Sequence, residues 1–513
     1  MKIPSFINRR RNQRGQVIVM ATVAMAVLIG FIGLGIDVGN LYTTRRKMQT
    51  AADAAAIAAA NTLQGSDSGD YSSAAQTVAS LNGFSTSSGA TVTVAAPAAC
   101  PNASGEECVQ VNVSQAIPTY FLRVFDIFGS HYQTVNVETQ AIAGGTNNPA
   151  CIYALDPSDS DALTINGAFN FQAACGAIVD STSNSGLALN GAGNFTTTGT
   201  GVGGSAYSDN GAITMTPTPV TKVTPALDPL ASMAAPNVGS CTDANSTVNG
   251  SYNQTGAINS LTVPTNVYSG GMSITGAITS VTFPAGTYGN KITLGGAVGR
   301  ATFNPGQYQN GSGTGDSIDI SGSATTVFNS GGYTFCGQLN INGSNNVTLS
   351  PGLYVGGISI NGASNVTFNP GTYIFAGGGF SVNGASTIHG TGVTFYNTTG
   401  PAGFAPFAIN GASGSDLTAP TSGTYKGILF FTDRKNTSDT AGDTNNGAST
   451  ITTDGVWYFP TTTVEFNGAS SGSGYTSIIA YKINLNGASN ENIGANYTSL
   501  GGVSPLSSST LYE

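Results

Sequence analysis

ISINGASNVTFNPGTYIF, residues 358–375, is the unit that most of this chain repeats. The unit holds two alternating apolar runs separated by Asn361-Gly362-Ala363, and then a Pro-Gly pair before Tyr373. Asn-Gly-Ala or a close relative recurs, mostly every 19 to 22 residues, with its glycine at Gly256, Gly276, Gly296, Gly322, Gly343, Gly362, Gly384, Gly411, Gly447, Gly468 and Gly487. A fixed period of this length is typical of a solenoid.

The residues within one period indicate which solenoid this is. Apolar side chains alternate in three short segments, around Ile358, Val366 and Tyr373, and such alternation is typical of β-strands. Asn-Gly and Pro-Gly supply the backbone conformations of tight corners between the strands. Three strands and three corners in a period of about 20 residues predict a right-handed parallel β-helix, so the fold class is mainly β.

The repeated asparagines and tyrosines each allow more than one interpretation. In stacked coils like residues lie above like, about 4.8 Å apart, so an amide ladder is one candidate role for Asn342, Asn361, Asn383 and Asn410. Turn residues that face solvent, and ligand-binding residues, are the alternatives. Core stacking or a glycan-binding stripe are the two interpretations of Tyr268, Tyr288, Tyr308, Tyr354 and Tyr373.

Charge is distributed unevenly along the 513 residues. Charged residues make up only 8% of the chain and hydrophobic residues 40%, which excludes disorder caused by low hydrophobicity and high charge. Residues 1–47 carry a net charge of +7, whereas the remainder carries −16. The acidic body is therefore not expected to bind nucleic acid.

A membrane explains the basic N-terminal part. Residues 16–36 carry no charge and are long enough to cross a bilayer as a helix. Basic residues precede this stretch, so the positive-inside rule places the N-terminus in the cytoplasm and the bulk of the chain in the periplasm or on the surface. A cleaved signal peptide is the alternative. We expect an uncleaved helix that continues through the alanine-rich residues 51–60, so that residues 1–65 form a basic tail, a transmembrane helix and a helical stalk.

The same segment carries a combination of motifs. They are Arg14-Gly15-Gln16, the apolar stretch, Gly35-Ile36-Asp37-Val38-Gly39, Tyr42, and Gln49 leading into an Ala-Asp-Ala-Ala-Ala run. Together they resemble the N-terminal segment of TadE/TadG-like proteins of the tight-adherence (Flp) pilus-assembly system. The resemblance implies a single span in the bacterial inner membrane, with pilus-assembly or envelope proteins as partners. Some relatives are processed after a glycine; if that site were Gly15, the fifth residue of the product would be Met20 rather than the glutamate usual in prepilins.

Residues 66–150 are predicted to form a small α/β domain. Helices are expected at 71–81 and 120–128, and strands at 91–95, 109–113 and 134–141. The expected role of this domain is that of a spacer, or of a cap on the open first coil of the solenoid.

The chain contains six cysteines, an even number that favours disulfides outside the cytoplasm. Pairing of neighbours would join Cys100–Cys108, Cys151–Cys175 and Cys241–Cys336. Zinc is the alternative, but the sequence has no Cys-x-x-Cys, and its two histidines, His131 and His389, are far apart in the chain. Neither a metal nor another cofactor is therefore expected.

The β-helix is predicted over residues 151–513, with two interruptions. Residues 214–240 are rich in proline, which inner strands exclude, so we expect a loop or an edge-covering excursion. Residues 412–446 form an insertion, since 36 residues separate Gly411 from Gly447. Insertions in solenoids often lie on a binding face, so a candidate interaction loop is formed by Asp433, Arg434, Lys435, Asp439 and Asp443.

Catalysis is not expected. Parallel β-helices often act on polysaccharides with paired carboxylates or carboxylate-bound calcium. Asp316 and Asp319 form one local pair and the insertion holds further carboxylates, but both groups are expected to be outward or solvated residues. The two isolated histidines cannot complete a set of nucleophile, base and orienting group.

We interpret the chain as an envelope protein of a Flp/Tad-type pilus-assembly or tight-adherence system. In this interpretation its membrane anchor presents a β-helix rod for assembly or surface adhesion, with surface glycans as a further candidate partner. The alternative, which depends on fold analogy alone, is a membrane-tethered β-helix enzyme that acts on polysaccharide.

Overall fold

The computed structural model describes residues 14–64, 71–100, 107–123, 133–145, 150–226, 228–231, 233–241, 247–310, 315–322, 324–411, 414–436, 443–446, 451–467, 475–486, 490–500, 504–506 and 509–512. The chain divides into two compact units. The first comprises Met1–Asn147 with Ser507–Glu513, and the second comprises Asn148–Leu506.

The first unit is a long helix packed on a small antiparallel sheet. Its elements are the helices α1 (Arg14–Gln64) and α2 (Tyr71–Leu81), a 3₁₀ turn at Thr86–Ser88, and the strands β1 (Ala90–Ala99), β2 (Glu107–Pro118) and β3 (Thr134–Gly145). The C-terminal strand Ser509–Tyr512 pairs antiparallel with β3 and completes the sheet. The predicted helix at 71–81 is confirmed, and the three predicted strands lie within β1, β2 and β3. Of the predicted helix at 120–128, residues 124–128 lie outside the described residues, and 120–123 form no α-helix.

Small side chains allow the second half of α1 to approach the sheet closely. Met48, Ala51, Ala55 and Ala59 are fully buried on one side of the helix. They face alternate valines of β2, such as Val111, which are equally buried. Alanine has the highest helix propensity and the smallest side chain of the strong helix formers, so the alanine-rich stalk serves both helix formation and packing.

The second unit is a parallel β-solenoid of about 14 turns. Its strands are Ala150–Ala154, Leu163–Ala173, Gly176–Val179, Leu187–Thr196, Thr200–Val202, Ser208–Asp209, Ala212–Thr216, Val220–Thr221, Tyr252–Gln254, Ile258–Thr262, Met272–Ile274, Ile278–Phe283, Gly286–Tyr288, Ile292–Leu294, Val298–Phe303, Gly306–Tyr308, Asp316–Ile320, Thr325–Phe328, Tyr333–Phe335, Gln338–Ile341, Asn346–Leu349, Gly352–Tyr354, Ile358–Ile360, Asn365–Phe368, Gly371–Ala376, Phe380–Val382, Thr387–Thr391, Val393–Thr398, Phe407–Asn410, Ser415–Thr418, Ile428–Thr432, Asp443–Asn446, Ile451–Asn467, Thr476–Asn486 and Asn490–Ile493, followed by a 3₁₀ turn at Tyr497–Leu500.

The repeat at 358–375 forms three strands, as its alternating pattern predicts. Ile358–Ile360, Asn365–Phe368 and Gly371–Ala376 each pair with the equivalent strand of the coils before and after. The inward side chains of these strands are at most 1% exposed. The three-strand, three-corner interpretation of the repeat is confirmed.

The order in which the coils stack differs from their order in the chain. The strand Thr476–Asn486 pairs with Ala150–Ala154 and Leu163–Ala173, which belong to the first coil. The other side of that first coil pairs with Gly176–Val179 and Leu187–Thr196, and the coil of Ser208–Asp209 follows. The first coil is therefore covered on both faces, so the expectation that it is open and needs a cap is wrong.

Two other coils form the ends of the stack in the described part of the chain. One is the coil of Ser208–Asp209, which also contains Ala212–Thr216 and Val220–Thr221, and the other contains Tyr252–Gln254 and Ile258–Thr262. Residues 222–247 connect these two ends, and we call them the strap. The predicted proline-rich excursion therefore begins later than Thr214, and it has a topological reason: the chain must return along the stack to start its long regular run.

Candidate functional sites

The asparagine ladder is confirmed, and it is longer than the four residues that the sequence indicated. Each amide nitrogen donates to the amide oxygen of the next asparagine at 2.5–3.0 Å, through Asn210, Asn190, Asn166, Asn486, Asn467, Asn446, Asn410, Asn383, Asn361 and Asn342. Asn342 then donates to Asp319 at 3.3 Å. The ladder follows the stacking order, so the bond from Asn166 to Asn486 crosses the junction between the first and last coils. These amides already form hydrogen bonds with each other, which argues against the interpretation that they bind a ligand.

The repeated tyrosines belong to the core. Tyr288, Tyr308, Tyr354 and Tyr373 are fully buried, and neighbouring rings stack along the solenoid. Each hydroxyl donates to the carbonyl oxygen of the residue four positions earlier, at 2.6–2.8 Å. Burial raises the pKa of all four phenols. Tyr268 is half-buried against Tyr252. The glycan-binding stripe is therefore wrong for the four buried rings, because a sugar cannot reach them.

The local pair Asp316 and Asp319 binds a lysine from the neighbouring coil. Lys291 Nζ lies 2.7 Å from Asp316 Oδ2 and 3.0 Å from Asp319 Oδ2. The lysine charge compensates the repulsion between the carboxylates, and Asp319 also ends the asparagine ladder. Within the described residues no group of three or more His, Cys, Asp or Glu side chains could hold a metal ion.

The strap and the insertion, predicted separately as interruptions of the repeat, meet at Arg434. Arg434 donates through Nε to the Tyr458 hydroxyl at 2.7 Å and through Nη1 to the Met233 carbonyl at 2.7 Å, and it also donates to the Leu230 carbonyl. The Tyr458 hydroxyl in turn donates to Asp228 Oδ2 at 2.5 Å. The Arg434 guanidinium lies 5.0 Å from the centre of the Tyr458 ring. We call Asp228, Arg434 and Tyr458 the strap clamp.

The other members of the candidate interaction loop have different environments. Asp433 accepts from the Thr398 hydroxyl at 2.8 Å and from the Lys435 backbone N–H at 3.0 Å, which shapes a local turn. Lys435 is exposed, and Asp439 lies outside the described residues. Asp443 is 2% exposed and accepts from the Phe407 backbone N–H at 2.9 Å and the Thr462 hydroxyl at 2.8 Å. A binding role for this loop stays a prediction; Arg434 and Asp443 hold the solenoid together.

Asp443 makes the stability of the solenoid depend on pH. Burial raises the pKa of its carboxyl from 3.8 to about 6, despite the two hydrogen bonds that favour its charged form. Because the pKa is higher in the folded state, the stabilisation is complete below about pH 4 and is lost as the pH rises through about 6. We expect the wild-type chain to gain about 1 kcal/mol of stability between pH 7 and pH 5 relative to Asp443→Asn, measured by urea unfolding. Parallel pH profiles of the two proteins would contradict this assignment.

The structure brings the six cysteines together in the three neighbouring pairs. Cys100–Cys108, Cys151–Cys175 and Cys241–Cys336 are disulfides with Cα atoms 5.2, 5.7 and 5.6 Å apart. The first joins the residue after β1 to β2, and the second joins the strand Ala150–Ala154 of the first coil to the residue before Gly176–Val179 in the next coil. Cys241 lies in the strap, so the third disulfide attaches the strap covalently to a central coil of the solenoid.

Asp37 has a role that the sequence did not reveal, although it belongs to the Gly35-Ile36-Asp37-Val38-Gly39 motif. Its side chain is 1% exposed and accepts three backbone N–H bonds, at 2.7–2.9 Å, from Tyr120, Phe121 and Leu122. Phe121 packs on Gly33, where an added Cβ would lie 2.6 Å from the ring. Asp37 and Gly33 thus fix residues 120–122 against α1.

Helix α1 has a stretch, Val17–Ala60, that is long and apolar enough to cross a membrane. Residues 15–62 match the family model described as putative Flp pilus-assembly TadE/G-like. The resemblance that the N-terminal motifs carry is therefore confirmed for this segment. No curated protein and no solved structure matches the chain.

Proposed function

We propose that this chain is a membrane-anchored cell-envelope protein of a Flp/Tad-type pilus-assembly or tight-adherence system. The match of residues 15–62 to the TadE/G-like family model carries the proposal. Helix α1 supports the anchor, because its residues from Val17 to Ile36 expose large apolar side chains along the segment that we assign to the bilayer. The β-solenoid is the module that the anchor presents for assembly or surface adhesion.

The proposed orientation places the N-terminus in the cytoplasm and the part of the chain that follows the transmembrane span, including the solenoid, in the periplasm or at the surface. The basic residues before the apolar stretch support it through the positive-inside rule. The three disulfides support it independently, since disulfides persist in oxidising compartments and are rare in the cytosol.

We also propose that the solenoid is a structural module without catalytic activity. Its repeated polar and aromatic residues are used for stacking, in the asparagine ladder and in the stacked rings of the buried tyrosines. The carboxylates that sequence analysis considered for catalysis bind a lysine, in the case of Asp316 and Asp319, or lie buried in hydrogen bonds, in the case of Asp443. Repetition of one coil is a means to build length and surface, which suits presentation at a distance from an anchor.

A deletion that follows the boundaries of the compact units tests this proposal. Joining Asn147 directly to Ser507 removes the solenoid but retains the C-terminal strand that pairs with β3. We expect the shortened protein to remain in the membrane fraction, with Cys100–Cys108 oxidised, while cells lose surface attachment or piliation, each scored separately. Unchanged attachment and unchanged piliation would contradict the proposal. Release of oligosaccharide by the full-length protein, lost in the deletion, would favour the enzyme instead.

A further inference from the structure

The segment Thr119–Arg123 places exposed apolar residues beside the apolar half of α1. Tyr120 is 59% exposed and Phe121 is 40% exposed, although both are large and apolar. Phe121 and Leu122, together with helix residues between Ala26 and Leu34, line an apolar groove of about 490 Å³. This groove continues the exposed apolar surface of the helix, where Phe31 is 68% and Ile32 is 64% exposed.

The depth of Phe121 follows from helix geometry. Gly33 lies three residues before Ile36, the end of the uncharged stretch, and an α-helix rises about 1.5 Å per residue. The ring that packs on Gly33 therefore lies about 5 Å inside the end of the apolar span. Tyrosines and other amphipathic aromatics concentrate at this level of a bilayer. Tyr42, further along α1, is 65% exposed as well.

Three backbone N–H groups of this segment have hydrogen-bond partners within the protein, as a segment in lipid requires. Irregular backbone is costly in lipid because its N–H groups lose their partners. Here the N–H groups of Tyr120, Phe121 and Leu122 all donate to the Asp37 carboxylate. The same three bonds satisfy Asp37, the acidic residue that follows the apolar stretch directly. At the membrane boundary, these bonds satisfy both the negative charge of the carboxylate and the three backbone N–H groups.

We propose that Thr119–Arg123 is a second membrane contact, in which Tyr120 and Phe121 insert into the lipid interface beside the transmembrane helix. The partner is the lipid surface, chosen because the segment continues the surface of the helix that the bilayer covers. The inference rests on the proposed anchor. The contact fixes the small domain at the membrane boundary through two points, so the domain cannot rotate freely about the helix.

Quenching of tryptophan fluorescence by brominated lipid tests the contact in the full-length protein. The single native tryptophan, Trp457, is replaced by phenylalanine, and one new tryptophan is introduced per variant: Val27→Trp in the span, Tyr120→Trp or Phe121→Trp in the segment, and Leu81→Trp on α2 as the control. Leu81 is 81% exposed and belongs to the same compact unit. Each variant is reconstituted into phosphatidylcholine vesicles with and without brominated acyl chains.

We expect brominated lipid to quench Val27→Trp and Tyr120→Trp strongly and to leave Leu81→Trp unquenched. Addition of Asp37→Ala should remove the quenching in the Tyr120→Trp variant but not in the Val27→Trp variant. Tyr120→Trp keeps the test valid if Phe121→Trp does not fold against Gly33. Quenching at 27 without quenching at 120 would overturn the second contact and leave the anchor intact, as would equal quenching at 81 and 120. Absence of quenching at 27 would overturn the anchor itself.

Discussion

Arg434→Met should release the strap and destabilise the solenoid by about 3 kcal/mol. Arg434 donates to Tyr458 and to the carbonyls of Met233 and Leu230, and the substitution removes all of these bonds at once. Methionine keeps most of the side-chain volume, so the loss reports the hydrogen bonds and the charge more than the packing. Asp228 then retains the Tyr458 hydroxyl but loses the nearby positive charge.

Lys435→Met is the matched control, since it removes the same charge from the next residue, which is exposed. We expect it to change stability by less than about 0.5 kcal/mol. The fluorescence of Trp457, which is 4% exposed, follows urea unfolding in both variants. Limited proteolysis should also cut the strap faster in Arg434→Met than in the wild type. Equal midpoints for the two variants would show that the clamp does not hold the strap.

The repeat could be predicted from sequence because its causes are local. Alternating apolar residues around Ile358 and Val366 determine strands, and Asn361-Gly362 determines a corner, within one coil of about 20 residues. The asparagine ladder follows once equal periods are stacked in register, as the bond from Asn383 to Asn361 shows. Local pattern and global fold agree at these positions, which is the condition under which sequence analysis succeeds.

The stacking order could not be predicted, because a local pattern does not show which coils lie next to each other. The coils that carry the corner asparagine offer the same residue and the same alternating strands, so by pattern the first coil fits any of them equally well. Asn166 bonds to Asn486 across 320 residues, and no local feature of either coil indicates that junction. The strap clamp could not be predicted either, because 230 residues separate Asp228 from Tyr458. The sequence therefore suggested that the charged residues of the insertion form a binding loop. In the structure, Arg434 holds the strap, the segment through which the chain returns along the stack.

The corners of the coils require glycine for a steric reason in addition to their positive φ. Gly362 has a φ of +86°, and a Cβ at this position would lie 2.5 Å from the Gly343 oxygen of the neighbouring coil. That oxygen accepts the Ala363 backbone N–H at 2.8 Å, one of the bonds that join the two coils. A side chain here would therefore strain its own backbone and separate the coils, next to the ladder bond between Asn361 and Asn342.

Gly362→Ala should consequently cost about 4 kcal/mol, from backbone strain and overpacking together. Gly414→Ala is the matched control, because Gly414 has a φ of +77° but no atom of the described residues lies within 4 Å of the added Cβ. It should cost only about 1 kcal/mol, the strain of the left-handed conformation. Urea unfolding followed by Trp457 fluorescence gives both values. Since φ is nearly the same at the two sites, their difference isolates the contact between coils, and equal costs would mean that stacking places no steric demand on the corner.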